Sequence, residues 1–396
     1  MKTWRRPEIL LFLMAAAMPI SFGVWQALLN NFAIEKAAFT GVEIGILQSL
    51  REIPGFLAFT AVLLLLVLRE QTLALASLLL MGLGTAITGI FPSELGLYCT
   101  TVLMSIGFHY YETVNQSLSL QWFSKQQAAH KMGQMVAVGS FAGLVAYALV
   151  WLALDVFFIE METLYLIGGG ITVAIAIFCW FSFPHFPNKV EQHKYLLMRK
   201  RYWLYYALTF MGGARRQIFV VFAGFLMVEK FDFSAADIAA LFLINGFMTM
   251  IFAPKIGKLI GKWGERKALT VEYVGLIIVF SAYAVVDNPA IAASLYVFDH
   301  LLFSLAIAQK TYFQKIADPK DIAPTAGVAF SINHIAAVVL PAAYGLLWVV
   351  SPAAVFLTGA AMGCVSLMLA RKVPSQPERG NEVRIMTKPL MPRKAN

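Results

Sequence analysis

Residues 34–47 read IEKAAFTGVEIGIL and residues 228–241 read VEKFDFSAADIAAL. The two stretches align without a gap. Glu35 matches Glu229, Lys36 matches Lys230, Phe39 matches Phe233, Ile44 matches Ile238 and Leu47 matches Leu241, while Thr40/Ser234 and Glu43/Asp237 keep their chemistry. In each copy a polar turn separates two long apolar runs. A recurrence at this distance marks a duplicated unit, and the surrounding sequence shows what was duplicated.

Composition identifies the medium. The 396 residues are 59% hydrophobic and only 13% charged, with a mean hydropathy of +0.71. Soluble domains are about a quarter charged, so the chain is expected to be an all-α polytopic membrane protein. Hydropathy and polar breaks predict twelve transmembrane helices at 9–32, 41–68, 71–91, 94–122, 128–152, 162–183, 202–229, 234–262, 267–286, 290–316, 321–349 and 352–371. Each repeated turn then joins the first two spans of a six-span half. An even number of spans per half gives both halves one orientation, so they are parallel repeats. The expected domains are an N-terminal six-helix bundle, 1–183; a cytoplasmic linker, 184–201; a C-terminal six-helix bundle, 202–371; and a basic tail, 372–396. The run from Ile9 is too long for a signal peptide and lacks a small-residue cleavage site, so it reads as a retained helix.

Charge gives the orientation. Of the Lys and Arg residues, only Lys36 and Lys230 fall in the odd-numbered turns, and Arg51, Arg215 and Arg216 fall inside spans. The others gather at the termini, the even-numbered loops and the adjoining helix ends. This positive-inside pattern predicts a cytoplasmic (inner) membrane protein with both termini cytoplasmic. It also accounts for the net charge of +9 without a nucleic-acid partner, and the tail at 371–394 is expected to be solvated or to touch headgroups. Cys99, Cys179 and Cys364 lie in apolar runs without metal or disulfide spacing and read as packing residues. No phosphate-cradling loop, Cys/His cluster or Ser with a neighbouring base is present, so neither an enzyme, an ATP-driven pump, a cofactor nor a bound metal is expected.

Residues 257–267, GKLIGKWGERK, fall between spans 8 and 9. With the twelve spans, the six-plus-six repeat and the basic central loop, this motif gives the chain a whole-length resemblance to the major facilitator superfamily. The resemblance implies a gating loop formed by Gly257, Gly261, Gly264, Arg266 and Lys267, which helps to latch the halves. It also implies that helices 1, 4, 7 and 10 line a central cavity, with 2, 5, 8 and 11 flanking it.

The polar residues at depth follow that plan. Residues 107–123, GFHYYETVNQSLSLQWF, carry His109 and Glu112 on one helical face, which Gln116 extends by a turn. A carboxylate in hydrocarbon costs about 3 kcal/mol or more, so Glu112 belongs in a wetted interior. Arg215 and Arg216 sit in span 7, Asp299 and His300 in span 10, and Asn333 and His334 in span 11. Arg51 and Glu52 are adjacent, about 100° apart on a helix, and are expected to face different partners.

The expected function is secondary active transport, by a monomer in the bilayer, of a small polar or anionic organic solute, with proton coupling. Glu112, tuned by His109, is the expected proton carrier, with Asp299 and His300 as the second-half candidates. Arg215, Arg216 and Arg51 are expected to meet the anion, because a guanidinium fork suits carboxylate or phosphate. Asn30, Tyr111, Gln116, Asn333 and His334 complete the expected substrate contacts. A uniporter, a multidrug exporter and a non-transporting scaffold or sensor are the alternatives.

Overall fold

The computed structural model describes residues 4–65, 67–122, 128–186, 198–318 and 321–384. Those residues build twelve helical spans: α1 (Pro7–Ala37), α2 (Gly41–Phe56), α3 (Glu70–Thr88), α4 (Glu94–Trp122), α5 (Ala128–Asp155) and α6 (Met161–Ser182), then α7 (Lys200–Phe231), α8 (Ala235–Trp263), α9 (Glu265–Tyr283), α10 (Pro289–Ile316), α11 (Ile322–Val350) and α12 (Pro352–Ala370). A 3-10 turn, Leu57–Thr60, and a last helical turn, Ala61–Leu64, prolong α2. Among the described residues the only β pairing is an isolated bridge between Glu378 and Asn381. Nine of the spans are long and apolar enough by themselves to cross a membrane. The other three, α2, α4 and α9, each carry an acid at depth, Glu52, Glu112 and Glu272 respectively.

The repeated turns are built alike. In each, the helix ends in a left-handed residue, Ala38 with φ 54° and Asp232 with φ 54°. The next N–H, of Phe39 or Phe233, returns to the carbonyl of Ala33 or Met227. The following helix starts with a capping box, Thr40 with Glu43 and Ser234 with Asp237. Each box satisfies two orphan N–H groups, and a lost N-cap costs about 1 kcal/mol. The two copies also meet: the Asn31 amide donates to the Phe233 carbonyl at 2.8 Å.

That contact lies at the end of the bundle away from the chain termini, where the two halves are tightly joined. Gly45 of α2 lies so close to the Pro341 carbonyl and to Gly345 of α11 that a Cβ there has no room. The Ser49 hydroxyl accepts the Ala342 N–H at 3.0 Å. On the opposite flank, Tyr147 of α5 packs on Phe242 of α8 with ring centroids 5.3 Å apart. The main buried core spans both halves here, and a second cluster, including Leu10, Leu78 and Leu118, lies inside the first half.

Two expectations change. The 257–267 segment is mostly helix: α8 runs through Gly257 and Gly261 to Trp263, and only Gly264 stands outside a helix, at φ 76°. A Cβ at Gly257 or Gly261 would meet nothing within 4 Å, so neither glycine serves a close helix approach in this conformation. Arg266 is half-buried, and Lys267 lies over the Trp263 ring at 5.1 Å. The tail is also less free than its charge suggested. Up to residue 384 it folds back on the end of α10, where the Arg379 Nε donates to the Ala317 carbonyl at 3.2 Å and Val373 is buried. The linker residues 187–197 and the tail residues 385–396 lie outside the described residues. Of the cysteines, Cys179 is buried and Cys99 and Cys364 are exposed.

Candidate functional site

Halfway along the bundle, α2 presents two charges that turn to each other. Arg51 and Glu52 form a buried ion pair through Arg51 Nη2 and Glu52 Oε1, not the divergent pairs expected from their helical spacing. Long side chains bridge the 100° offset because no solvent competes for either charge. The Arg51 guanidinium also lies 5.7 Å from the Trp25 ring centroid, and its backbone carbonyl accepts the Ser105 hydroxyl. The second oxygen of Glu52 lies 3.6 Å from His334 Nε2 of α11. His109 of α4 completes the group, its ring 5.3 Å from that of His334. His109 therefore faces Glu52 and His334, although the sequence placed it with Glu112.

The consecutive arginines of α7 separate. Arg215 is 4% exposed; it points into the second half, 3.6 Å from Glu272 of α9 and 4.5 Å from the Tyr273 ring. Arg216 is half-buried and points to the first half, with Glu52, Glu112 and Arg51 as its charged surroundings. No carboxylate within 4.0 Å of Arg216 is found among the described residues. Its Nε is buried without a hydrogen-bond partner. Directly after this pair, Ile218–Ala223 widens into a π-helix, an irregularity that often accompanies functional positions.

Beside Arg51, toward the far end of the bundle, is a narrow cavity lined by Gln26 and Asn30 of α1, Gln48 and Arg51 of α2, Gly224 of α7 and Tyr296 of α10. About 20 Å³ of it is open to the centre of a water molecule, room for about one water. Past His109, toward the end carrying the chain termini, α4 is more open. Glu112 and Gln116 on α4 are exposed there, and Glu112 lies within electrostatic reach of Arg216 in the opposite half. An exposed carboxylate facing a guanidinium of the other half is a carboxylate in a cleft. Tight contacts thus join the halves at the far end, while Glu112 and Gln116 are exposed on the terminal side.

Other expected contacts fall elsewhere. Tyr111 is 1% exposed and packs in the first-half core, so it does not line the cleft. Its neighbour Tyr110 is half-buried and shares a hydrogen bond of 2.7 Å with Thr60. Asp299 is fully buried, and neither of its oxygens has a hydrogen-bond partner. His300 packs among Phe219 and Tyr296. Asn333 lies against Gly213 of α7.

Glu272 was missed in the sequence because it reads as lying near the end of span 9, yet it is 2% exposed beside Arg215. The Glu52–His109–His334 group was missed as a unit because its members come from three spans with no local spacing. The hydrophobic sequence around each of them was the available signal.

The Major Facilitator Superfamily family model matches residues 8–341. No curated protein matches at a significant level. Among solved structures, a mutant of the nucleoside transporter NupG superposes with a TM-score of 0.76 at 16% identity, covering 92% of this chain and 99% of that one. A bacterial homolog of the human lysosomal transporter Spinster, inward-facing and occupied, gives 0.69 at 14% identity over 92% and 94%. An auto-inhibited POT family peptide transporter gives 0.68 at 13% identity over 92% and 96%. These similarities are similarities of fold.

Proposed function

The chain belongs to the Major Facilitator Superfamily, a family of transporters and not enzymes, and on that premise we propose that it is a proton-coupled secondary transporter of a small anionic or polar organic solute. It works as a monomer in the cytoplasmic membrane by alternating access. The bundles 1–183 and 202–371 rock about the site, with the termini and the linker 184–201 on the cytoplasmic side. The observation that carries this reading is Arg216: a guanidinium in a cleft between two halves, with no close carboxylate partner. Such a group is costly to desolvate unless an anion completes it. The fold neighbours named as nucleoside and peptide transporters fit a polar organic cargo. A site with two arginines beside its cavity disfavours cationic drugs.

Coupling follows from competition. Glu112 and the solute's anionic group both draw on Arg216. A proton on Glu112 releases the guanidinium for the solute, so proton and anion bind together and leave together. Asn30, Gln26 and Gln116 supply neutral hydrogen-bonding groups around them. Asp299 is the second candidate carrier, since a fully buried carboxyl without a hydrogen-bond partner is costly in its charged form.

The test is a thermal-shift screen of organic anions, nucleosides and short peptides on the purified protein. Hits are then assayed for uptake into proteoliposomes with an imposed pH gradient. Accumulation that collapses with a protonophore supports the reading; accumulation indifferent to the gradient removes the coupling.

A further inference from the structure

We propose that Glu52, His109 and His334 form a binding site for one divalent transition-metal ion, bridging the two halves of the molecule. The three side chains come from α2, α4 and α11, are 3%, 4% and 6% exposed, and bring one donor atom each to within 4.8 Å of one another. Their orientation is set from behind. His109 Nδ1 lies 3.0 Å from the Ser105 carbonyl and His334 Nδ1 lies 2.9 Å from the Phe330 carbonyl. His109 Nδ1 also lies 3.0 Å from the Ser105 hydroxyl, but that hydroxyl donates to the Arg51 carbonyl. A carbonyl only accepts, so each Nδ1 carries the hydrogen and each neutral ring turns an Nε2 lone pair inward. Backbone carbonyls behind imidazoles are the usual support of metal-bound histidines.

The inward face then holds acceptors only. Glu52 Oε1 is taken by Arg51, which leaves Oε2 toward His334 Nε2 at 3.6 Å. Lone pairs facing each other across that gap call for a positive centre between them. Gly55 makes the approach possible: a Cβ there would lie 2.6 Å from His109 Nε2 and closer still to the His334 ring. Two imidazoles and one carboxylate oxygen match zinc, cobalt or nickel better than magnesium or calcium. Bond lengths near 2.0–2.1 Å require the donors to close in by about 1 Å. Arg51 and Arg216 nearby weaken the site relative to an isolated set of the same ligands, and favour an anion as the fourth ligand.

Cobalt(II) is the probe, added to the purified full-length chain in detergent. One molar equivalent should produce visible d–d bands, zinc should remove them, and either metal should raise the wild-type unfolding midpoint. His334→Ala and Glu52→Gln should each weaken cobalt binding at least tenfold and abolish the thermal shift. Bands that persist in His334→Ala would assign the metal to other histidines, such as exposed His185, and overturn the site. Absence of bands in the wild type does the same. Should the variants fail to fold, X-ray absorption of the wild-type zinc complex decides: two imidazoles support the site and fewer than two reject it. None of these readouts depends on transport.

Discussion

Arg215 and Arg216 are neighbours with opposite surroundings, and their difference is geometric. The 100° step between consecutive helical residues turns Arg215 to Glu272 and Tyr273 inside its own half and leaves Arg216 to the cleft. The sequence singled out both but gave no means of choosing, because the choice rests on how α7 is rotated against α9. Truncating Arg215 strands Glu272 in a dry core, and breaking a buried pair costs about 3–5 kcal/mol. Arg215→Ala should therefore lower the unfolding midpoint while the protein that remains folded still binds solute. Arg216→Lys should keep its midpoint and lose about tenfold or more in affinity, near 1.4 kcal/mol, because an ammonium cannot reproduce the planar fork. Unchanged affinity and uptake in Arg216→Lys would reject the anion site. Glu112→Gln fixes the protonated form, so it should exchange solute across the membrane yet fail to accumulate it against a gradient. Gradient-driven accumulation by that variant would move the coupling role to Asp299.

At the scale of elements, the repeated turn was the most legible part of the chain, and the structure shows the physical reason. Thr40/Glu43 and Ser234/Asp237 are capping boxes, so the paired changes conserve an N-cap and not merely polarity. Thr40→Ala and Ser234→Ala should each destabilise by about 1 kcal/mol, seen as similar losses in unfolding midpoint; a loss confined to one copy would deny the equivalence. The glycine motif was less legible. Gly257 and Gly261 suggest a loop, but a helical glycine costs only about 1 kcal/mol, and α8 absorbs both before turning at Gly264. Tertiary attachments were not legible at all. Asp321, ahead of α11, accepts from Arg199 and from the Tyr202 hydroxyl, and the Arg199 hydrogen bond holds its carboxyl below the usual range. A depressed carboxylate stabilises above its unfolded value, about 3.9, and that support fades as pH falls through the folded value. Asp321→Asn should thus lower the midpoint at neutral pH, and the difference from wild type should shrink only below about pH 4.

For the molecule as a whole, the distribution of contacts defines a state. Close contacts between the halves run from the far end to mid-depth, along α2 with α11 and α5 with α8, while Glu112 and Gln116 meet solvent at the terminal end. In the proposed orientation, with the terminal end cytoplasmic as the positive-inside pattern implies, impermeant reagents should label cysteines at Glu160 and Asp232 only from outside. A transporter that alternates must undo the far-end contacts in every cycle. Ser49 and Ala342 touch across that seam, the Ser49 hydroxyl accepting the Ala342 N–H, which puts the two positions within reach of a disulfide. In a background lacking the native cysteines, Ser49→Cys with Ala342→Cys should cross-link under oxidation, abolish uptake and recover it on reduction. A cysteine at Glu112 in the locked protein should still react from the cytoplasmic side, because the lock holds that side open. Undiminished transport by the cross-linked protein would mean that the seam between α2 and α11 stays closed throughout, and the rocking of one half on the other would have to be abandoned.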